Sequence, residues 1–353
     1  FQVGTCSMIR VFRRRTRKTE TGANVNKRLA YAALCSLYVL LSGPGMPGVG
    51  EEADLRHTVL VIRMSGTSFE ETVGGIRGEL DHPFFITEMV IATQTDVDDV
   101  REAIERFDPS IIVCMDNRAV SLLATYQAGA ADTLPVIPSV SVMASFVGNS
   151  IERLRNARAI SYEVPIVTSV VNLRALLADT IRTLGIVHRP FLEEFIEKNR
   201  AWCRREGIRI VSQAVAAGKK KNRRAISRAL RELMKDSIDV LWVPNDNALL
   251  TPETIRDIWV PIIHKHKIPA IVGVPVLVDP RIGMGTFAVL PDHGALGAQV
   301  AESILDAQRN GWRFEEKQVE PPLSVYKTIN FKQAKAFATI RPGALANVDK
   351  VVR

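Results

Sequence analysis

No Gly-x-Gly-x-x-Gly follows the first apolar run of this chain, so a dinucleotide site is not expected. There is no phosphate loop ending in Gly-Lys-Ser/Thr and no Gly-x-Ser-x-Gly elbow, which removes the activities those motifs mark. Cysteine is scarce, with four in 353 residues and no Cys-x-x-Cys. Cys6 and Cys35 fall near the amino end; Cys114 closes an apolar run and Cys203 sits on a helix-patterned segment. Two buried thiols are the expected reading of the latter pair, with a disulfide as the alternative. Histidine is also rare, six in all. His264 and His266 are two apart and point to different faces of a helix, so no metal site is expected there. No cofactor is expected. Nor does any apolar run reach the about 20 residues that a membrane-crossing helix needs.

The charge is unevenly placed. The chain carries a net +8, but eight basic side chains and one acid give residues 1–28 a net +7 of it, and residues 29–50 carry no charge. From Glu51 onward the protein is near neutral, which argues against a nucleic-acid partner. Residues 1–50 have the layout of a secretory leader: a basic stretch ending Asn26-Lys27-Arg28, an apolar core Leu29 to Leu41, then small and helix-breaking residues to Gly50. An exported, periplasmic or extracytoplasmic protein is expected, with an uncleaved membrane anchor as the alternative. Lys219-Lys220-Lys221 with Arg223-Arg224 reads as a solvated surface run.

From His57 on, strand-length Val/Ile/Leu runs alternate with helix-periodic segments. The first half holds the runs Thr58–Met64, Phe85–Ala92, Ile111–Met115, Leu134–Ile137 and Ala159–Val164. The second holds Leu184–Val187, Ile208–Val211, Ile238–Val243 and Ile268–Val274, with a helix expected over Pro252–His266. Near-continuous apolar strands are buried on both faces, as in parallel sheets. The pattern predicts an α/β protein of two doubly wound parallel-sheet lobes with a hinge and an interlobe cleft. Lobe 1 is expected over residues 57–165, completed by about 288–318, and lobe 2 over 166–287, completed by about 319–346.

In open α/β sheets ligands lie at the carboxyl ends of strands. The candidate contacts are therefore Ser68 and Phe69 after the first strand, Asp116 and Asn117 after the third, and Ser139 after the fourth. In the second half they are Asn245 and Asp246 in Pro244-Asn245-Asp246-Asn247, with Asp292 near the return crossing. His188-Arg189-Pro190 ends another strand. Neutral and acidic hydrogen-bonding groups of this kind suit a small polar organic ligand, one with an ammonium group for Asp116 or Asp246 included. Two plainer readings compete: Asn245 to Asn247 as caps of the next helix, and Ser68 with Glu71 as a capping box.

The order of elements resembles the substrate-binding proteins of ABC transporters, in the branch of the type I periplasmic binding fold that includes tryptophan- and tyrosine-type binders. The resemblance covers about residues 57–345. It is carried by Asp239-Val240-Leu241-Trp242-Val243-Pro244-Asn245-Asp246-Asn247, Lys267-Ile268-Pro269-Ala270, Leu290-Pro291-Asp292-His293-Gly294-Ala295-Leu296-Gly297 and Thr328-Ile329-Asn330-Phe331-Lys332-Gln333-Ala334-Lys335. Two departures stand out. Such proteins usually show Gly-Thr after the third strand, where this chain has Asp116-Asn117, and often Asp-Pro after the fourth, where it has Pro138-Ser139-Val140.

The resemblance implies capture without catalysis. An amino-acid-like ligand would enter the cleft, close the lobes and be handed to an ABC permease, the protein acting as a monomer. An exported sensor of the same fold, presenting its closed form to a receptor, is the alternative. An enzyme using Asp116 or Asp246 as acid or base is a further one.

Overall fold

The first half of the chain winds one parallel sheet. The computed structural model describes residues 56–129, 136–216 and 222–353; the leader and the Lys219–Lys221 run lie outside them. Strand β1 (His57–Arg63) is followed by α1 (Thr67–Glu79), β2 (Phe84–Val90), α2 (Val97–Phe107), β3 (Ile111–Met115), α3 (Asn117–Gly129), β4 (Ser139–Val142), a one-turn α4 (Gly148–Ile151) and β5 (Ala157–Ile160). The core segments of β1 and all of β3 are buried on both faces, as their unbroken Val/Ile runs require. Helix α2 starts on Asp96, whose carboxylate accepts from the backbone N–H of Asp98 and Asp99, while Asp99 returns a bond to the Asp96 N–H.

The second half repeats the plan. It runs α5 (Ile166–Leu176), β6 (Thr183–His188), α6 (Glu193–Arg205), β7 (Arg209–Ala214), α7 (Asn222–Leu233), β8 (Val240–Val243), α8 (Pro252–Thr254), α9 (Val260–His266), β9 (Ala270–Val272) and β10 (Phe287–Pro291). The single helix expected over Pro252–His266 is present, but Ile255–Trp259 between α8 and α9 forms a π-turn. Pro261 has no N–H to donate to the turn before it, so the helix locally widens.

The tail joins both halves: α10 (His293–Arg309), β11 (Val319–Glu320), β12 (Val325–Asn330), α11 (Phe331–Phe337) and β13 (Lys350–Val352). The first sheet has the order β11-β5-β4-β3-β1-β2 and the second β13-β12-β10-β9-β8-β6-β7. All neighbours are parallel except β10 and β12. The chain therefore stays in the second sheet through Pro291, crosses at Asp292, and contributes α10 and β11 to the first lobe before returning with β12. Residues 161–165 and 321–324 make the other two crossings. Asp54–Arg353 form one compact unit that contains both lobes.

Helix α10 lies directly against α1. A Cβ added at Gly297 would stand 2.1 Å from the Thr72 carbonyl oxygen, and one at Gly75 2.1 Å from that of Gly294. Only glycine permits this approach, and it seats Leu296, Val300 and Ile304 in the core beside Val73 and Ile76. Both remaining cysteines, Cys114 and Cys203, are free and buried. Burial pushes the Cys203 thiol up to about 11 and the Cys114 thiol higher still.

Candidate functional site

The carboxyl ends of both sheets face a common cleft of about 700 Å³. In each sheet the strand order reverses beside the first strand of its lobe, β1 or β6. A crevice is left there, the usual ligand position in a doubly wound sheet. Lobe 1 supplies Asp116 and Asn117 after β3, and Met143, Ser145, Phe146, Asn149 and Ser150 after β4. Lobe 2 supplies Arg189 and Phe191 after β6, and Asn245 to Ala248 after β8.

Lobe 1's wall is conformationally unusual. Asp116 has φ 106, Met143 φ 56 and Phe146 φ 52, all in the region that side-chain-bearing residues avoid. The turn after β3 thus takes a backbone shape suited to glycine, the residue the resemblance leads one to expect there, yet it carries a carboxylate. Asp116 accepts from the Ala119 N–H at 2.8 Å. Burial pushes its carboxyl up, opposed by backbone bonds from Ala119 and Arg118 and by the Arg118 charge. Asn117 donates to the Ser145 carbonyl at 3.0 Å, tying the two loops of this wall together.

Lobe 2's wall is built on an ion pair. Arg189 Nε and Nη2 reach Asp246 Oδ2 and Oδ1 at 2.5 and 2.9 Å, a bidentate fork. The Asp246 side chain is fully buried, while 28% of the Arg189 side chain remains exposed. Asp246 Oδ1 also accepts from the Ala248 N–H. Its carboxylate is thus committed within the protein, and the guanidinium is the charged group that reaches toward the cleft. Arg189 also lies over the Phe191 ring at 4.6 Å. Capping by the Asn245–Asn247 loop is confined to Asp246; Thr251 caps α8.

Aromatic rings cross between the lobes. Phe146 of lobe 1 meets Phe191 and Phe195 of lobe 2 edge-on, and Phe195 stacks on Trp242. Phe146 is held from behind, its N–H donating to Glu163 Oε2 at 3.0 Å.

Four of the residues expected from sequence meet in the cleft: Asp116, Asn117, Asn245 and Asp246. Ser139 does not. Of the strand expected over Leu134–Ile137, Leu134 and Pro135 lie outside the described residues and Val136 and Ile137 are not in a strand; β4 is Ser139–Val142, so Ser139 begins it at its amino end and is fully buried. The loop that β4 delivers is Met143–Ser150. Two prolines, Pro135 and Pro138, obscured this shift, because the real strand spells Ser-Val-Ser-Val and its small polar residues read as a loop. Ser68 and Phe69 form the first turn of α1, where Phe69 folds back over Gly66 and packs on the lobe 1 core. No side chain caps α1, so the competing reading of Ser68 and Glu71 as a capping box is not realised. Asp292 stands at the crossing, where it caps α10 through the Ala295 N–H.

The sequence reading missed Arg189, Phe146 and Phe191 as cleft residues. The Arg189–Asp246 pair spans 57 residues of chain, and no local pattern marks it. The end of the apolar run at His188 marks the loop but not which side chain matters. Among the described residues no group of His, Cys, Asp and Glu could hold a metal ion. No described helix is long and apolar enough to cross a membrane.

The fold is that of the type I periplasmic binding proteins. The chain is similar to a ligand-free, open substrate-binding protein with adhesive properties from Clostridium difficile, at 15% identity over 84% of this chain and 99% of that one, with a TM-score of 0.58. It is also similar to an ABC domain in complex with L-Trp from Streptococcus pneumonia, at 18% identity over 84% and 100% of the two chains, with a TM-score of 0.52. A conserved domain protein from Vibrio cholerae matches at 16% identity over 84% and 99%, with a TM-score of 0.52. No protein-family model matches the sequence. No curated protein matches it either.

Proposed function

We propose that this protein is an extracytoplasmic solute-binding protein that captures a small, polar, amino-acid-like ligand between its lobes and delivers it to an ABC permease. The observation that carries this reading is the cleft itself. Its walls come from the carboxyl-end loops of two separate sheets, joined by three crossings on one side. A ligand touching both walls favours the closed arrangement by the contacts it makes only there.

The lining suits a zwitterion. Arg189 offers donors to a carboxylate, Asp116 a negative charge, and Asn117, Asn149, Asn245 and Asn247 hydrogen-bonding amides. Phe146 and Phe191 provide apolar area. The bound L-Trp of the Streptococcus protein is consistent with this chemistry, as is the leader pattern with export.

A thermal-shift screen of the mature protein against amino acids, sugars, polyamines and aromatic acids tests the proposal. A tight ligand raises the melting point by mass action. Stabilisation by an amino acid or a close analogue is expected. Turnover of a bound compound, or stabilisation only by ligands that leave Arg189→Ala and Asp116→Ala unaffected, would overturn it.

A further inference from the structure

Behind the cleft, where the chain crosses from β5 to α5, lies a second and much smaller chamber of about 30 Å³. Tyr162, Glu163, Ser169, Trp242 and Asn245 are in its wall. Asn245 lines the cleft as well, so the two spaces meet at that side chain. The volume holds one water-sized group.

Glu163 is the unusual member. It is buried, and one of its oxygens is occupied by the Phe146 N–H. The other, Oε1, is inaccessible to solvent and has no hydrogen-bond partner. A buried acceptor left unpaired costs about 1–3 kcal/mol, so it calls for an occupant. Among the described residues no lysine or arginine lines the chamber. Tyr162 is the other titratable group in the wall; burial and the Glu163 charge push it up to about 12, and its hydroxyl is engaged with His293 Nε2 at 3.1 Å. Ser169 gives its proton to the Pro165 carbonyl and keeps its lone pairs. The Asn245 side chain makes no hydrogen bond within the described protein and can turn its carbonyl inward. Trp242 adds an indole ring. The wall therefore presents acceptors, a π-system and one carboxyl, with no cation among its described residues.

We propose that this chamber is an ammonium subsite, which takes the protonated primary amine of a ligand whose body lies in the cleft and pairs it with Glu163 Oε1. The inference rests on the ligand-capture reading above and adds where the amine goes. Burial holds the empty Glu163 carboxyl up at about 7. Arrival of the ammonium ionises the carboxyl and sends its proton to solvent, the cation keeping all of its own protons. Pairing also strengthens the bond from Phe146, so the occupied chamber firms the loop that reaches across to lobe 2.

The test needs no knowledge of the full ligand. The Glu163 carboxyl carbon is followed by 13C NMR as a function of pH in the full chain, with methylammonium or tetramethylammonium added at equal ionic strength. Its signal is assigned by its loss in Glu163→Gln or, should that variant fold poorly, in Glu163→Asp. Methylammonium is expected to lower the titration midpoint by about one pH unit, as a close opposite charge does. Tetramethylammonium, too large for the chamber, is expected to leave it in place. An unmoved midpoint with methylammonium, or equal movement with both cations, would overturn the subsite. So would a primary-amine ligand that binds wild type and Glu163→Gln equally. Such a ligand would leave the capture reading standing, whereas a screen without any stabilising solute would remove that reading instead.

Discussion

Phe146 and Phe191 meet across the cleft with ring centroids 5.3 Å apart and planes at 77°. One ring belongs to the loop after β4 in lobe 1, the other to the turn after β6 in lobe 2. The contact bridges the two lobes, and the Phe146 N–H is anchored on Glu163 in the crossing at residues 161–165. Aromatic pairs of this geometry contribute about 0.5–1.5 kcal/mol beyond the area they bury. Phe146→Ala is therefore expected to shift the ligand-free protein toward a more open arrangement and to weaken ligand binding by up to about tenfold. Small-angle scattering and fluorescence transfer between one label on each lobe would read the opening. Identical distances in variant and wild type would show that the pair does not hold the lobes.

Asp246→Ala is expected to lower ligand-free stability and ligand affinity together. The sequence alone marks Asp246 as a candidate ligand contact, with helix capping as the competing reading. In the structure Asp246 is buried and bound to Arg189. Its loss leaves a half-buried guanidinium without its carboxylate and removes the bond that Asp246 accepts from the Ala248 N–H. Because Arg189 is partly hydrated, the cost is set at about 1–3 kcal/mol, below that of a fully buried pair. Urea unfolding of the ligand-free variant would measure it. Wild-type stability in the variant would mean that the pair is not formed in solution.

Asp116 combines a strained backbone with a carboxylate. Asp116→Gly relieves the φ of 106, whereas Asp116→Ala keeps the strain and loses the bond to Ala119. The glycine variant is expected to be more stable than the alanine variant by about 1–2 kcal/mol, with ligand affinity reduced in both. Paired denaturation curves decide this; an alanine variant at least as stable as the glycine one contradicts it.

Glu163 makes stability depend on pH. Burial raises its carboxyl from 4.5 in the unfolded chain to about 7 in the folded protein. Below the lower value it is protonated in both states and imposes no charge penalty. Between the two, the folded protein holds a proton that the unfolded chain releases, so stability falls as pH rises. Above about 7 the penalty is complete, at about 3 kcal/mol. Glu163→Gln is expected to lose this slope, so that its stability relative to wild type improves on going from about pH 5 to about pH 8. Parallel slopes for the two proteins would show that Glu163 is ionised throughout.

The packing of α1 on α10 sets the first lobe's integrity. Gly297→Ala places a methyl against the Thr72 carbonyl, where backbone must move. A loss of at least about 1–3 kcal/mol is expected. Gly74→Ala, on the facing helix α1 but in open space, is expected to be neutral or mildly stabilising. Equal melting points for the two variants would contradict the close approach.

The sequence by itself determined the architecture. Val/Ile runs of strand length separated by helix periods leave few arrangements other than parallel sheets, and their doubling gives two lobes. The same periodicity located Asp116, Asn117, Asn245 and Asp246, because a polar side chain just beyond a buried strand falls at the sheet's carboxyl edge. It could not locate β4, whose Ser-Val-Ser-Val lacks a hydrophobic signature, and so misplaced Ser139 and passed over Phe146. Only the tertiary structure decided how the side chains pair. Arg189 meeting Asp246, Phe146 meeting Phe191 and Glu163 left with an unpaired oxygen all depend on loops brought together from distant parts of the chain. Local propensity sets which backbone forms; which charges neutralise one another and which stay open to a ligand is fixed when the two sheets come to share a cleft.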